Sequence, residues 1–164
     1  MMDKDLRQLS IQTGQSLLSR GATLTTAESC TGGWIAKVIT DISGSSAWFE
    51  QGFVTYSNQA KITMLGVDPA TLEAHGAVSE ATVREMASGA LQAAEADYAI
   101  SVSGIAGPDG GSAEKPVGTV WFGFAAADGK VLVSGQQFTG DRDAIRAQAV
   151  AFALRTLNCE FLEK

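Results

Sequence analysis

The sequence is poor in the residues that build disulfide frameworks and zinc sites. It contains two cysteines, Cys30 and Cys159, and one histidine, His75. Two cysteines are too few for a disulfide-stapled fold, and a single histidine argues against a multi-histidine zinc site. We therefore expect a protein of the reducing cytoplasm.

Long apolar runs and an excess of positive charge are also missing. No stretch approaches the length of a membrane span, and the first residues, Met1-Met2-Asp3-Lys4-Asp5, lack the apolar core of a signal peptide. A formal net charge of −6 argues against nucleic-acid binding, although a small phosphorylated ligand needs only one or two cations. The 164 residues, 45% hydrophobic and 18% charged, are typical of one soluble domain spanning 1–164.

Apolar spacing predicts helices and strands that alternate along the chain. The predicted helices cover 4–19, 34–41, a short segment after Ser57-Asn58, 80–96 and a final segment from Asp141. The predicted strands cover 22–28, 49–56, 98–103, 118–126 and 130–138, and a turn or single helical turn follows Asp68-Pro69. Asp128-Gly129 between the last two strands is a strong hairpin signal. This order predicts a three-layer α/β/α fold on a mixed, mostly parallel sheet.

The stretch from Thr25 to Trp34, which reads Thr-Thr-Ala-Glu-Ser-Cys-Thr-Gly-Gly-Trp, is the segment around which the chain is organised. A β-branched strand turns through two glycines into a helix, which places the turn at the carboxyl end of a sheet. One interpretation is a nucleophile, Ser29, beside backbone N–H groups that bind an oxyanion. The other is a capped helix start whose glycines only make the turn. The stretch is not a G-x-S-x-G elbow, because Ala27 and Thr31 occupy the glycine positions.

Lys61 is a candidate general base for such a serine. If Asn58 is the N-cap of the short helix, Lys61 stands at the third helical position, where the helix dipole opposes a positive charge. That placement, together with burial, lowers the pKa of a lysine and favours the neutral amine that a base requires. The alternative is an ordinary solvated lysine.

Two further features are candidates for binding a phosphate. The glycine-rich loop from Gly104 to Gly111 lets backbone approach a ligand, or is simply flexible. Arg142, in the first turn of the last helix, is electrostatically misplaced unless an anion or a neighbouring aspartate compensates it. Arg142 is therefore either a phosphate clamp or part of a surface Asp–Arg pair.

Two other features are interpreted as structural. Ser112 and Lys115 match the S-x-x-K pattern formally, but they lie in a glycine-rich loop rather than on the helix that such a dyad needs. His75 lies between Ala74 and Gly76 without an evident carboxylate partner, so we expect a surface or loop-anchoring role.

The ordered motifs resemble the C-terminal domain of the CinA family. They are 27–33 (AESCTGG), 52–58 with Lys61 (GFVTYSN), 76–79 (GAVS), 103–111 (SGIAGPDGG) and 115–120 (KPVGTV). The resemblance runs from about residue 5 to residue 160. It implies hydrolysis of nicotinamide mononucleotide to nicotinate mononucleotide and ammonia in pyridine-nucleotide salvage. It also implies a serine–lysine mechanism without metal or other cofactor, a CinA-like mixed sheet and a homodimer.

Together these observations predict the site residues. Ser29 is the nucleophile, Lys61 the base, and Tyr56 a relay for the proton given to ammonia. The backbone of Cys30, Thr31, Gly32 and Gly33, with the Thr31 hydroxyl, is expected to stabilise the oxyanion, and Ser103, Gly104 and Arg142 to bind substrate. Two alternatives stay open: a serine–lysine amidohydrolase for another small amide, and a nucleotide-binding regulatory domain without turnover.

Overall fold

The computed structural model describes residues 2–163, in which helices and strands alternate as predicted. The helices are α1 (Met2–Arg20), α2 (Trp34–Thr40), α3 (Asn58–Leu65), α4 (Pro69–His75), α5 (Glu80–Ala94) and α6 (Arg142–Leu157). The strands are β1 (Leu24–Glu28), β2 (Phe49–Val54), β3 (Tyr98–Gly104), β4 (Thr119–Ala126) and β5 (Val131–Gln137). A short 3₁₀ helix covers Ser45–Ala47, and a π-helical segment, Asn158–Leu162, continues α6.

The segment after Asp68 is more helical than predicted. Instead of a turn or a single helical turn, it forms the seven-residue helix α4. The Asp68 side chain caps this helix by accepting a hydrogen bond from the Ala70 amide, and Pro69 occupies its first position. Both are favourable helix starts, because proline lacks only an N–H that would be unpaired there.

The strands form one mixed sheet in the order β2-β1-β3-β4-β5. Strand β1 is parallel to both β2 and β3, whereas β4 is antiparallel to both β3 and β5. Four strands therefore run in one direction and β4 runs against them, which confirms the mixed, mostly parallel sheet. The predicted hairpin joins β4 to β5, with Gly129 in the left-handed region at φ +99°.

Helices cover both faces of the sheet, which confirms the three-layer architecture. On one face α1, α2 and α6 bury Leu17, Ile35 and Leu154 against Ile100 and Phe122. On the other face α3, α4 and α5 bury Leu65, Leu72 and Met86 against Ala27 and Ala99. None of the helices between residues 2 and 163 has the length and apolar character needed to cross a bilayer.

The parallel strands place three loops at one edge of the sheet. β1, β2 and β3 share a direction, so the segments that follow them, 29–33, 55–57 and 105–118, all start from that edge. Open α/β sheets bind ligands at the carboxyl ends of their strands. This edge is therefore where a site is expected.

Candidate active site

A cleft of about 290 Å³ lies at this edge and brings together predicted site residues from distant parts of the chain. Its polar lining consists of Ser29, Tyr56, Asn58, Lys61, Ser103, Asp109 and Arg142. Backbone from the glycine-rich loop, including Gly104, Gly107 and Gly110, completes the wall. The volume suits a small molecule.

Ser29 and Lys61 are in direct contact inside the cleft. Lys61 Nζ lies 2.9 Å from Ser29 Oγ, within the hydrogen-bond distance that a general base for this serine requires. The same amine donates to the carbonyl oxygen of Thr55 at 2.9 Å. The Ser29 amide donates to Val102 O at 3.0 Å, which ties the serine to the central strand β3. A neutral amine in this position has a lone pair available for the Ser29 proton.

Burial gives Lys61 its unusual acid–base character. Its side chain is 1% exposed, and this burial lowers the pKa of the ammonium group. Among residues 2–163 no carboxylate forms an ion pair with it. A buried lysine without a counter-ion loses its proton most easily.

The start of helix α3 differs from the prediction. The N-cap is Ser57, whose Oγ accepts a hydrogen bond from the Ala60 amide, so the assignment of Asn58 as N-cap is wrong. Lys61 consequently stands at the fourth helical position, and its own amide already donates to Ser57 O. Desolvation by burial lowers the pKa of Lys61 at this position.

Several hydrogen-bond donors of the turn after β1 bind acceptors within the segment from Glu28 to Gly33. The Thr31 hydroxyl donates to Glu28 Oε1 at 2.6 Å and is fully buried, so it is not free to bind an oxyanion as expected. The Gly32 amide donates to Ser29 O at 3.0 Å, and the Gly33 amide interacts with Glu28. Thr31, Gly32 and Gly33 line a separate cavity of about 430 Å³, whereas Ser29 and Cys30 line the cleft. In the described chain, the amides of Cys30 and Thr31 make no backbone hydrogen bond.

Glu28 is a structural residue that the sequence interpretation missed. Its fully buried carboxylate accepts hydrogen bonds from the amides of Ile35 and Ala36 at 2.9 and 3.0 Å, in addition to the Thr31 hydroxyl. It therefore caps helix α2 from within the strand that precedes it. Burial raises the pKa of this carboxyl group even though these hydrogen bonds act in the opposite direction. The available signal was the position of Glu28 at the end of a β-branched strand. It lies seven residues before Ile35, at the start of a helix whose first amides need acceptors.

Cys30 is a packed side chain beside Ser29. It is buried, and burial raises the pKa of its thiol to about 12. A thiol with this pKa forms almost no thiolate near neutral pH, and the thiolate is the nucleophilic form.

Arg142 and Tyr56 meet at the mouth of the cleft. Arg142 Nη1 donates to Gly107 O at 2.8 Å, and Nη2 donates to Tyr56 Oη at 3.0 Å. No Asp–Arg ion pair involves Arg142 within the described range, because Asp141 instead caps α6 through the Ala144 amide. The Tyr56 hydroxyl is therefore bound to Arg142 and has no hydrogen bond to Lys61, which the expected relay would need.

Ser103 and Gly104 form the wall that strand β3 contributes. Ser103 is 1% exposed, and both residues line the cleft. A Cβ atom at Gly104 would lie 2.6 Å from Val120 Cγ2 and 2.9 Å from Thr119 O. Glycine is required here because the backbone passes so close to β4.

The serine–lysine pattern of the loop forms no dyad. Lys115 Nζ donates to the carbonyl oxygen of His75 at 2.7 Å and so ties this loop to the end of α4. The Ser112 hydroxyl accepts a hydrogen bond from the Lys115 amide, as in an ordinary turn. His75 thus anchors the loop through its backbone.

Asn58 and Asp109 were not predicted as cleft residues. Asn58 is the first residue of α3, and its carboxamide was considered only as a helix cap. Asp109 lies within the glycine-rich loop that was considered only for its backbone. Both lie in motifs that the sequence analysis names, so their polar side chains were the available signal.

A serine hydroxyl within hydrogen-bond distance of a buried lysine amine matches the arrangement of nucleophile and base found in hydrolases. The chain belongs to the CinA C-terminal domain family, whose model matches residues 6–161. It is 68% identical over 163 residues to nicotinamide-nucleotide amidohydrolase PncC of Escherichia coli (strain K12), covering 99% of both chains. It is 64% identical to the protein of that name from Enterobacter agglomerans, again with 99% of each covered.

The fold is likewise that of the family. The crystal structure of competence/damage inducible protein CihA from Agrobacterium tumefaciens superposes with a TM-score of 0.94 at 45% identity. The match covers 98% of this chain and 96% of that one.

Proposed function

We propose that this chain hydrolyses the carboxamide of nicotinamide mononucleotide, releasing nicotinate mononucleotide and ammonia. The observation that carries the proposal is the 2.9 Å contact between Ser29 Oγ and the buried, unpaired Lys61 Nζ. The substrate comes from the E. coli relative, whose name states this chemistry and which is 68% identical over nearly its whole length.

In the first step, neutral Lys61 accepts the hydroxyl proton of Ser29, and Ser29 Oγ bonds to the carboxamide carbon. The carbonyl oxygen becomes an oxyanion, which the amides of Cys30 and Thr31 stabilise, since these two donors of the turn are uncommitted to backbone. Thr55 O accepts a hydrogen bond from Lys61 Nζ throughout and keeps the amine aimed at the serine.

In the second step, protonated Lys61 donates its proton to the amide nitrogen, the C–N bond breaks, and ammonia leaves. The nicotinoyl group is then an ester of Ser29. Water attacks the carbonyl carbon of this ester while Lys61 accepts a proton from the water. The C–O bond to Ser29 then breaks, Lys61 returns that proton to Ser29 Oγ, and nicotinate mononucleotide is released. The cycle returns both residues to their starting protonation states, and an amide with a poor leaving group requires both the covalent and the proton-transfer contributions.

Arg142 holds the 5′-phosphate at the far end of the cleft. Its contacts with Gly107 O and Tyr56 Oη fix the guanidinium at the cleft wall. We assign Tyr56 to this positioning role and not to the proton relay. Binding energy from the phosphate then orients the amide at Ser29.

The decisive experiment is ammonia release from nicotinamide mononucleotide, with Ser29→Ala as the matched variant that loses one oxygen. Turnover by the natural chain and none by the variant support the proposal. Turnover of other small amides in preference would indicate a different substrate, and binding of the mononucleotide without ammonia would indicate a regulatory domain. A role in pyridine-nucleotide salvage in the cytoplasm follows from this activity, and the homodimer stays a prediction for analytical ultracentrifugation.

A further inference from the structure

We propose that Arg146 is a positioning residue that orients the backbone amides of the Ser29 turn toward the oxyanion. The inference rests on the proposed function and adds a residue that does not line the Ser29 cleft. Arg146 instead lines the 430 Å³ cavity, together with Thr31, Gly32 and Gly33.

Arg146 holds two successive carbonyl groups of the turn. Its Nε donates to Cys30 O at 3.0 Å, and its Nη2 donates to Thr31 O at 3.1 Å. The guanidinium is half-buried and lies 5.6 Å from the ring centre of Trp34. Within residues 2–163 it forms no ion pair, so backbone carbonyls are its polar partners. A planar, rigid fork is suited to fix two acceptors at once.

Peptide geometry connects the Cys30 carbonyl to one of the proposed oxyanion donors, the Thr31 N–H. The Cys30 carbonyl and the Thr31 N–H belong to one trans peptide plane, in which the two bonds point in opposite directions. Arg146 therefore turns the Thr31 N–H away from itself and away from its own cavity. In the same way, Ser29 O accepts from the Gly32 amide, which directs the Cys30 N–H to the other side.

Gly32 leaves the space that this contact needs. It lies in the left-handed region at φ +59°, and a Cβ atom there would lie 3.2 Å from Arg146 Nη2. Glu28 binds the Thr31 hydroxyl and the start of α2. Glu28 and Arg146 thus each contact Thr31, one through its hydroxyl and the other through its carbonyl oxygen.

Loss of this hold should affect the transition state more than substrate binding. Removal of one oxyanion donor costs an enzyme about 10²–10³-fold in kcat, and displacement by about 1 Å costs about 10²-fold. We expect Arg146→Gln and Arg146→Lys each to lower kcat by about 10²-fold while KM changes little. Lysine keeps the charge but does not reproduce the two-point contact.

The matched control is Arg155→Gln, an exposed arginine on the same helix. For each variant we would measure kcat and KM for nicotinamide mononucleotide, the dissociation constant of the product nicotinate mononucleotide, and thermal unfolding. In both Arg146 variants we expect kcat alone to fall. Their dissociation constant for the product and their pH profile should equal those of the natural chain. Arg155→Gln should match the natural chain throughout.

Three outcomes would overturn the inference. A kcat in Arg146→Lys equal to that of the natural chain would show that positive charge alone suffices. An equal loss in kcat and in product binding would show that Arg146 has only a structural role. A kcat in Arg146→Gln equal to that of the natural chain would show that Arg146 does not position the turn. Failure of the proposed function is distinguishable, because it would appear as an absence of ammonia release by the natural chain or as turnover by Ser29→Ala.

Discussion

Replacement of Arg142 by alanine should weaken the turnover of nicotinamide mononucleotide selectively. Two of the five guanidinium N–H groups donate to Gly107 O and Tyr56 Oη, which leaves three for a ligand. A hydrogen bond to a charged group contributes about 1.5–3 kcal/mol. Because Arg142 is exposed, we use the lower value. Two such bonds to a phosphate amount to about 3 kcal/mol, or about 10²-fold in kcat/KM.

The assay compares kcat/KM for two substrates, nicotinamide mononucleotide and nicotinamide riboside, which lacks the phosphate. The natural chain should prefer the mononucleotide strongly. Arg142→Ala should lose about 10²-fold on the mononucleotide and only about twofold on the riboside, the effect of an ordinary surface substitution. Tyr56→Phe removes one partner of the guanidinium, so it should produce a smaller loss with the same substrate selectivity.

The outcome that refutes this reasoning is a loss by the same factor on both substrates. Arg142 would then act on the loop through Gly107 and not on the phosphate. If Tyr56→Phe lost the preference for the mononucleotide over the riboside and Arg142→Ala kept it, a donor other than Arg142 would bind the phosphate.

The remaining predictions concern two buried charged groups. Lys61→Met should lower kcat by about 10²–10⁴-fold, and Lys61→Arg should not restore it, because a guanidinium does not deprotonate near neutral pH. In the natural chain kcat/KM should rise with pH through an apparent pKa below the free-lysine value of about 10.4, since burial lowers the pKa of Lys61; a flat profile would contradict this. Lys61→Met should also raise Tm. The unfolded chain binds more protons at Lys61 than the folded one, so stability rises with pH from the lowered pKa to the unfolded value, and methionine removes this cost; a lower Tm would show that the hydrogen bonds of the amine outweigh the cost of its burial. Glu28→Gln should lower the free energy of unfolding by about 1–3 kcal/mol in a urea titration, because one acceptor of the helix cap is lost, and an unchanged midpoint would argue against the cap.

Local chemistry along the chain predicted the order of helices and strands. Ser79 and Asp141 accept hydrogen bonds from the third residue of their helices, as N-caps do, and Asp128-Gly129 makes the hairpin turn. Such signals depend on neighbours only a few residues apart, so the sequence contains them fully. The motif match likewise pointed to Ser29 and Lys61 before any distance was known.

The prediction was weaker wherever a side chain has two suitable partners. Ser57 and Asn58 are both good N-caps, and the fold selected Ser57. The Thr31 hydroxyl was free to bind an oxyanion or a neighbouring acceptor, and the buried Glu28 carboxylate took it. Tyr56 was predicted to relay the proton of Lys61, but its hydroxyl bonds to Arg142, 86 residues away.

The amino-acid sequence by itself thus determined most of the helices and strands, the mixed sheet and the candidate pair of Ser29 and Lys61. The tertiary structure decided the surroundings of that pair. The low pKa of Lys61 arises from burial, which depends on packing from several elements and not on neighbours in the chain. The contact of Arg146 with Cys30 and Thr31 spans more than a hundred residues, so no local pattern shows it. Desolvation and long-range hydrogen bonds come into existence only when the chain is folded.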